Sequence, residues 1–434
     1  MDSPALFLFY AAPLVLGVAI YLFFRTRASR RAAAVYAEAK EAGLTEPASL
    51  YPHIDLALCC GAAACVAACP EGDVIGVING KARLIDPTAC IGHGACAAAC
   101  PTNAITLVFG TKTRGVELPV VSPDFQTNMP GLFVAGELGG MGLIRNAVSQ
   151  GQQAMEAVER LRGRATDGSL DLVIVGAGPA GLSASLAAKA AGMRFLTLEQ
   201  EKVGGTIAHF PRGKVVMTKP ANLPIVGPMK FSEITKEAFL DFWNDVIRKA
   251  DLPIEYDAKL EALEQLADGF SITTSAGSYS ARSVLLAIGR RGTPRRLDVA
   301  GEDLSKVVYR LDDPAQFKGQ RVLVVGGGDS ALEAAATIAE ETNAIVDLSY
   351  RGDAFQRARR RNRERIDALL ADGRMTTHLQ SQVLSITHHH ATLETANGEL
   401  ELENDAVIVC AGGILPTYLL KAMGVSVVTK YGEP

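Results

Sequence analysis

Apart from Cys410, the 434-residue chain has no cysteine outside residues 59–100. That excludes a disulfide framework spread through the fold, and seven thiols crowded into one short segment point to metal ligation. An excess of charge of one sign is also lacking. The 43 Lys+Arg nearly balance the 47 Asp+Glu, leaving a formal charge of −4, so nucleic acid is not an expected partner. Charged residues are only 21% against 48% hydrophobic, with 42 Gly. Disorder, collagen and coiled coil are thereby excluded. At roughly 150 residues per domain, the length allows two to four domains.

One stretch lacks charge altogether. Residues 4–24, PALFLFYAAPLVLGVAIYLFF, are followed by Arg25, Arg27, Arg30 and Arg31, whereas only Asp2 precedes them. As a helix, 21 residues span about 31 Å, the thickness of a bilayer core. A secretory signal carries its positive charge first, so the reading is an uncleaved, single-pass anchor. The positive-inside bias then puts residue 25 onward in the cytoplasm, at a cell inner membrane. Residues 26–50 read as a polar helical stalk whose helix ends at Gly43.

The cysteines form two runs offset by 31 residues. The first holds Cys59, Cys60, Cys65, Cys69 and Pro70; the second holds Cys90, His93, Cys96, Cys100 and Pro101. Both resemble the bacterial two-cluster ferredoxin pattern C-x2-C-x2-C-x3-C-P. In each run the second ligand position is altered, to Ala62 and to His93. Cys60 could replace the thiolate missing at Ala62, and His93 could ligate through imidazole, raising that cluster's potential as in Rieske centres. Seven Cys and one His then supply eight ligands for two [4Fe-4S] clusters, with one [3Fe-4S] cluster as a variant. The ferredoxin resemblance implies a crossover: Cys69 serves the second cluster and Cys100 the first. A zinc site prefers C-x2-C pairs and matches poorly.

Two dinucleotide folds follow. Residues 171–182, DLVIVGAGPAGL, run an apolar strand into Gly176-x-Gly178-Pro179-Ala180-Gly181 and a helix, and the next strand ends at Glu199, 23 residues after Gly176. The glycines admit a pyrophosphate to a helix N-terminus and the acid bonds ribose. RVLVVGGGDSALEAAATI repeats this with Gly326, Gly328, Asp329 and Ser330, but its second strand ends in Tyr350-Arg351 with no acid. An arginine there suits a 2′-phosphate, so NADPH is favoured over NADH, with Arg357 as a second contact.

GAGPAG, AIGRRGTP at 287–294 and GGGDSALEAA together resemble the thioredoxin-reductase-like family of FAD-dependent pyridine nucleotide oxidoreductases, over about residues 116–434. That family ends in a T-x-x-P-G-x-F-x-A-G-D segment which closes the FAD domain. Here the equivalent lies before the first glycine turn, as Thr127-Asn-Met-Pro130-Gly131-Leu-Phe-Val-Ala-Gly136-Glu137, and the chain stops at 434 where the family would enter it. The expectation is a circular permutation: residues 116–162 fold back to complete the domain begun at 170. The resemblance then implies that Gly136 and Glu137 reach the ribityl chain and that Arg145, Asn146 and Ala147 open a helix facing flavin N1/O2, where its dipole favours reduced flavin. It also attaches the cysteine module to the strand entering the flavin edge, which would bring a cluster within electron-tunnelling range.

A dithiol is missing. Residues 295–412 contain only Cys410. The bacillithiol-disulfide-reductase-like branch, which YRGDAFQRARRRNRERI also resembles, has Cys in its glycine turn where this chain has Ala180. The expected fold class is α/β: two three-layer nucleotide-binding domains for FAD and NAD(P)H, a small α+β ferredoxin-like module and a transmembrane helix. The boundaries read 1–25, 26–50, 51–115, 116–163, 164–292, 293–412 and 413–434. The expected function is a membrane-anchored NAD(P)H oxidoreductase exchanging electrons with ferredoxin, flavodoxin, a cytochrome or quinone, with no side-chain catalyst. The alternatives are a redox-sensing or electron-wiring subunit and a disulfide reductase; a homodimer is a further expectation. The basic run 357–365 reads as a solvated helix face and His388–His390 as a surface loop.

Overall fold

The computed structural model describes all residues except 1–2, 42–46, 48–49, 91, 113–114, 141, 162–164, 166–168, 219, 291, 357 and 434; side chains of residues 3–10, 217 and 293 are also outside the description. Gly43 and Arg357 therefore lie outside the described residues. The chain divides into two compact units, residues 1–115 with 356–360 and 430–434, and residues 116–355 with 361–429.

The first unit opens with α1 (Ser3–Glu41), one helix running through the boundary expected at residue 25. Its apolar part is exposed, from Leu14 to Phe24, whereas Ala32 and Ala39 are buried. A Cβ on Gly76 would lie 2.6 Å from the Ala32 Cβ, so the alanine face packs directly on the following strands. Arg31 pairs with Asp73 at 2.5 Å beside that contact. By length and composition the helix could cross a membrane, with mean hydropathy 1.3 in its most apolar window. Beyond it, β1 (Tyr51–Ile54) pairs antiparallel with β4 (Ile105–Val108), and β2 (Ile75–Ile78) with β3 (Lys81–Leu84). Asn79 and Gly80 both have positive φ, 50° and 77°, giving the tight turn that an Asn-Gly pair favours. One-turn helices α2 (Ala64–Ala67) and α3 (Ala95–Ala98) carry the middle cysteines.

The second unit opens with β5 (Val116–Pro119), β6 (Leu132–Val134) and α4 (Ile144–Leu161). Next come β7 (Leu170–Val175), α5 (Pro179–Ala190) and β8 (Phe195–Leu198). Short ladders pair β9 (Val215–Met217) with β12 (Glu233–Thr235) and β10 (Ala221–Leu223) with β11 (Gly227–Met229). Helix α6 (Lys236–Ala250) then leads to β13 (Ile254–Glu255), β14 (Leu260–Leu266), β15 (Gly269–Thr274) and β16 (Ser278–Leu286). The sheet order is β13-β8-β7-β16-β15-β14, with β6 also on β16. Alternation assigns the faces: Phe133, Leu172, Ile174 and Leu285 join α4, α5 and α6 in one core, while Leu132, Val134, Val173, Val175, Val284 and Leu286 face β14 and β15 in another. This domain is therefore three layers: helices, parallel sheet, antiparallel strands.

A second parallel sheet follows β17 (Thr293–Pro294). It contains β18 (Val307–Val308), β19 (Arg321–Val325), β20 (Ile345–Tyr350), β21 (Met375–Leu379) and β25 (Ala406–Val409), in the order β18-β25-β19-β20-β21. Helix α7 (Asp329–Glu341) follows β19 and α8 (Arg360–Ala371) follows β20. An antiparallel layer of β22 (Gln382–Ile386), β23 (His390–Thr395) and β24 (Gly398–Glu403) covers the other face. The chain returns through β26 (Gly413–Ile414), paired with β17, and α9 (Thr417–Ala422) to β27 (Val427–Lys430), which pairs with β5.

Candidate flavin, nicotinamide and iron–sulfur sites

In the cysteine module the two loops share one backbone. Gly61 and Gly92 have φ of 68° and 73°, and Ala63 and Gly94 have φ of 60° and 79°, each capping its one-turn helix. Six thiols enter the module's buried core: Cys59, Cys65, Cys90 and Cys96 fully, Cys69 and Cys100 in part. They sort into two groups. Cys65 feels the charges of Cys59 and Cys100, and Cys96 of the second group also feels Cys65. Cys90 feels those of Cys96 and Cys69, and Cys69, Cys90, His93 and Cys96 line one cavity with Glu71. Each run thus sends its last cysteine to the other group. His93 accepts from the Ala95 N–H through Nδ1, and its Nε2 is buried. Cys60 is exposed and outside this core.

Burial pushes the Cys65, Cys69 and Cys96 thiols up, and Cys90 up to about 11. Cys100 is opposed by burial but held low by hydrogen bonds from Thr102, Ala104 and Ile105. The Ala82 N–H donates to Cys59 Sγ and the Ala104 N–H to Cys100 Sγ, both at 3.3 Å. Among the described residues no three acids, thiols or imidazoles converge on a single ion. Two groups of thiols, spaced by small residues and approached by amide donors, instead fit clusters, whose ligands bind different irons.

At the first glycine turn, Gly176 has φ 107° and a Cβ on Gly181 would sit 1.8 Å from the Gly176 oxygen. Gly178 caps α5 in an extended conformation, with Pro179 as its first helical residue. Glu199 is buried and accepts from the Ala177 N–H at 2.7 Å and the Glu201 N–H at 2.9 Å. Burial raises its carboxyl above the ordinary value, with these amides opposing. The early segment meets this turn. Leu132, Phe133 and Val134 pair with Val284, Leu285 and Leu286. A Cβ on Gly136 would lie 3.0 Å from the Ala180 Cβ, and one on Gly151 would lie 2.2 Å from the Ala180 oxygen. Gln150, unmarked by any sequence motif, accepts from the Gly136 N–H at 2.9 Å and fixes the crossing. Arg145, Asn146 and Ala147 open α4 beside it. Glu137 is raised by burial and opposed by the charge of Arg290, a partner in the AIGRRGTP junction that spacing alone does not reveal. The glycine cradle, the α5 N-terminus and the buried acid fit an FAD.

At the second turn Gly326 has φ 143°, and a Cβ on Gly328 would meet nothing within 4 Å, leaving the α7 N-terminus open to a pyrophosphate. The Tyr350 ring packs over Gly327, where a Cβ would lie 2.3 Å away, and stacks on Phe355 at 5.6 Å. Arg351 is exposed after it. Asp329 begins α7, followed by exposed Ser330. Asn362 donates to Asp329 at 2.8 Å and to Glu333 at 3.3 Å, and Lys214 reaches Glu333 from the flavin domain at 2.5 Å.

Residues 173–434 match the pyridine nucleotide-disulphide oxidoreductase family and residues 51–101 the 4Fe-4S dicluster domain. The chain is 34% identical over 202 residues to the ferredoxin–NADP reductase of Ignicoccus hospitalis, covering 45% of this chain and 61% of that protein. It is 31% identical to the ferredoxin–NADP reductase of Thermus thermophilus, covering 56% and 73%. The chain thus spans about three fifths of the length of the Ignicoccus relative. The bacillithiol disulfide reductase Bdr of Staphylococcus aureus shares the fold, with TM-score 0.52, 24% identity and coverage of 59% and 80%. The chain belongs to the pyridine nucleotide-disulphide oxidoreductase family, as an oxidoreductase carrying a 4Fe-4S dicluster domain ahead of its nucleotide-binding folds.

Proposed function

We propose that this protein is a membrane-anchored, FAD-dependent NAD(P)H oxidoreductase that exchanges electrons with a one-electron carrier of the ferredoxin, flavodoxin or cytochrome kind, or with quinone. The observation carrying this reading is the seating of Gly136 and α4 against the Gly176–Gly181 turn of a chain that also holds two thiol groups. When bound, the flavin exchanges a hydride from nicotinamide for single electrons, which iron–sulfur centres accept one at a time. The chain's own residues bind and orient. The α5 N-terminus receives the pyrophosphate and Glu199 accepts from ribose hydroxyls. Glu137 serves the ribityl chain, and the positive end of α4 at Arg145–Ala147 favours charge on the reduced ring. Asp329 and Ser330 begin the second phosphate-binding helix, and Arg351 takes the 2′-phosphate of NADPH. Cys59, Cys65, Cys69, Cys90, His93, Cys96 and Cys100 are the candidate cluster ligands. No side chain acts as acid or base. The exposed apolar part of α1 and the arginines after it support anchoring with the globular part on the cytoplasmic side.

The test is anaerobic purification followed by NADPH titration with optical and EPR detection, with NADH in parallel. Flavin bleaching followed by cluster reduction, at lower NADPH than NADH concentration, is expected. Flavin-free protein, or clusters that stay oxidised while the flavin is reduced, would overturn the reading. The relatives named for disulfide reduction favour a second reading. It requires Cys410 for turnover and tolerates Cys96→Ala; the first reading expects the reverse.

A further inference from the structure

We infer that the two iron–sulfur sites are unequal: the first is held by three thiolates, Cys59, Cys65 and Cys100, has no fourth protein ligand, and rests as a [3Fe-4S] cluster, while Cys60 stays outside it. This rests on the reading of residues 51–101 as a two-cluster module. Gly61 and Ala63 have the backbone of Gly92 and Gly94, and each pair leads into a one-turn helix bearing the next cysteine. Ala62 therefore stands where His93 stands. His93 turns an imidazole into the cavity that Cys69, Cys90 and Cys96 line. Ala62 offers only a methyl group.

Cys60 corresponds by the same offset to residue 91, a position between ligands. Its side chain is exposed, outside the core that takes the other six thiols. Turning it inward would require remaking a tightly held loop. Gly61 has φ 68°, and a Cβ there would sit 2.1 Å from the Gly80 oxygen, so the loop lies hard against the β2–β3 turn. The Cys59 N–H donates to the Asp55 oxygen at 3.0 Å, Lys81 Nζ donates to the Cys59 oxygen at 2.7 Å, and the Ala82 N–H donates to Cys59 Sγ at 3.3 Å. Peptide rotation beside Cys59 breaks several of these together.

A complete cubane is held by four protein ligands. An iron that lacks one would be bound by sulfides and solvent alone; loss of one electron from [4Fe-4S]2+ to an added oxidant such as ferricyanide would release it as Fe2+ and leave [3Fe-4S]1+ on the three thiolates. The second site keeps four ligands, with neutral imidazole in place of an anionic thiolate. Less negative charge around the second centre makes it easier to reduce than an all-cysteine cubane, which favours electron flow outward from reduced flavin.

The experiment is EPR and Mössbauer spectroscopy of the full chain in detergent, purified anaerobically and then oxidised, with the flavin spectrum as the folding control. A three-iron signal beside a four-iron spectrum is expected. Cys60→Ala keeps that signal at unchanged intensity, and Ala62→Cys replaces it with a second four-iron spectrum. Loss of the three-iron signal in Cys60→Ala, or two four-iron clusters in the oxidised parent protein, overturns the three-ligand site alone. Flavin-replete protein without any cluster overturns the module reading as well.

Discussion

Glu199 shows what a single buried acid does in this fold. It is anchored by two backbone amides, yet burial raises its carboxyl above the ordinary range. The folded chain therefore binds a proton more readily than the unfolded chain, and the ionised form costs stability at neutral pH. As pH falls, the acid protonates before an exposed glutamate would, and it loses strength as an acceptor for ribose. Flavin retention on a filter should begin to decline, as pH falls, above the range in which an exposed glutamate titrates, and Glu199→Ala should weaken that dependence. The same variant should weaken FAD binding at neutral pH by at least about tenfold, since hydrogen bonds to charged groups contribute roughly 1.5–3 kcal/mol. Unchanged retention in the variant would remove Glu199 from the site.

Among the elements, the contact of α4 with α5 is the one on which the flavin fold depends. Gly151 lets the helices touch backbone to backbone, with a methyl group at that position only 2.2 Å from the Ala180 oxygen. Gly151→Ala should separate them at a cost of about 1–3 kcal/mol, lowering the melting temperature on the order of 5 °C and releasing flavin. A variant that melts normally and stays yellow would show that the helices are not pressed together there. The second tie lies at β5 and β27. Asn128 donates to the Gly424 oxygen at 3.0 Å and accepts from the Ser426 N–H at 2.8 Å, and Glu117 accepts from Thr417 and Lys421. Asn128 is exposed, so Asn128→Ala should cost only about 1 kcal/mol. It should speed hydrogen exchange at Ser426 about fivefold, while amides of β7 stay protected.

On the scale of the molecule, chain order and spatial order differ. Strand β6 precedes β7 in sequence yet reaches the same sheet through β16, and β27 ends beside β5. If the permutation is only a matter of connection, then residues 116–161 joined after residue 430 should give the same fold. The re-ordered chain is expected to bind FAD with an unchanged visible spectrum and to melt within a few degrees of the parent. Failure to hold flavin would mean that the early position is itself needed for folding.

The amino-acid pattern alone determined the features that depend on neighbours along the chain. The two glycine turns, the acid at the end of β8, the doubled cysteine runs and the apolar stretch in α1 are spacings, and spacing along the chain dictates which groups a local turn can bring together. The return of residues 127–137 to the flavin fold was legible because its motif survives the move. The Asn79-Gly80 hairpin carries an equally local signal. Tertiary structure decided the rest. It brought Cys69 to Cys90 and Cys96, left Cys60 in solvent, put Gln150 on Gly136 and Arg290 near Glu137, and laid Tyr350 over Gly327. These pairings join residues from different elements, and only the packing of whole elements, which buries one face of each strand and helix, selects them from the many that the spacings allow.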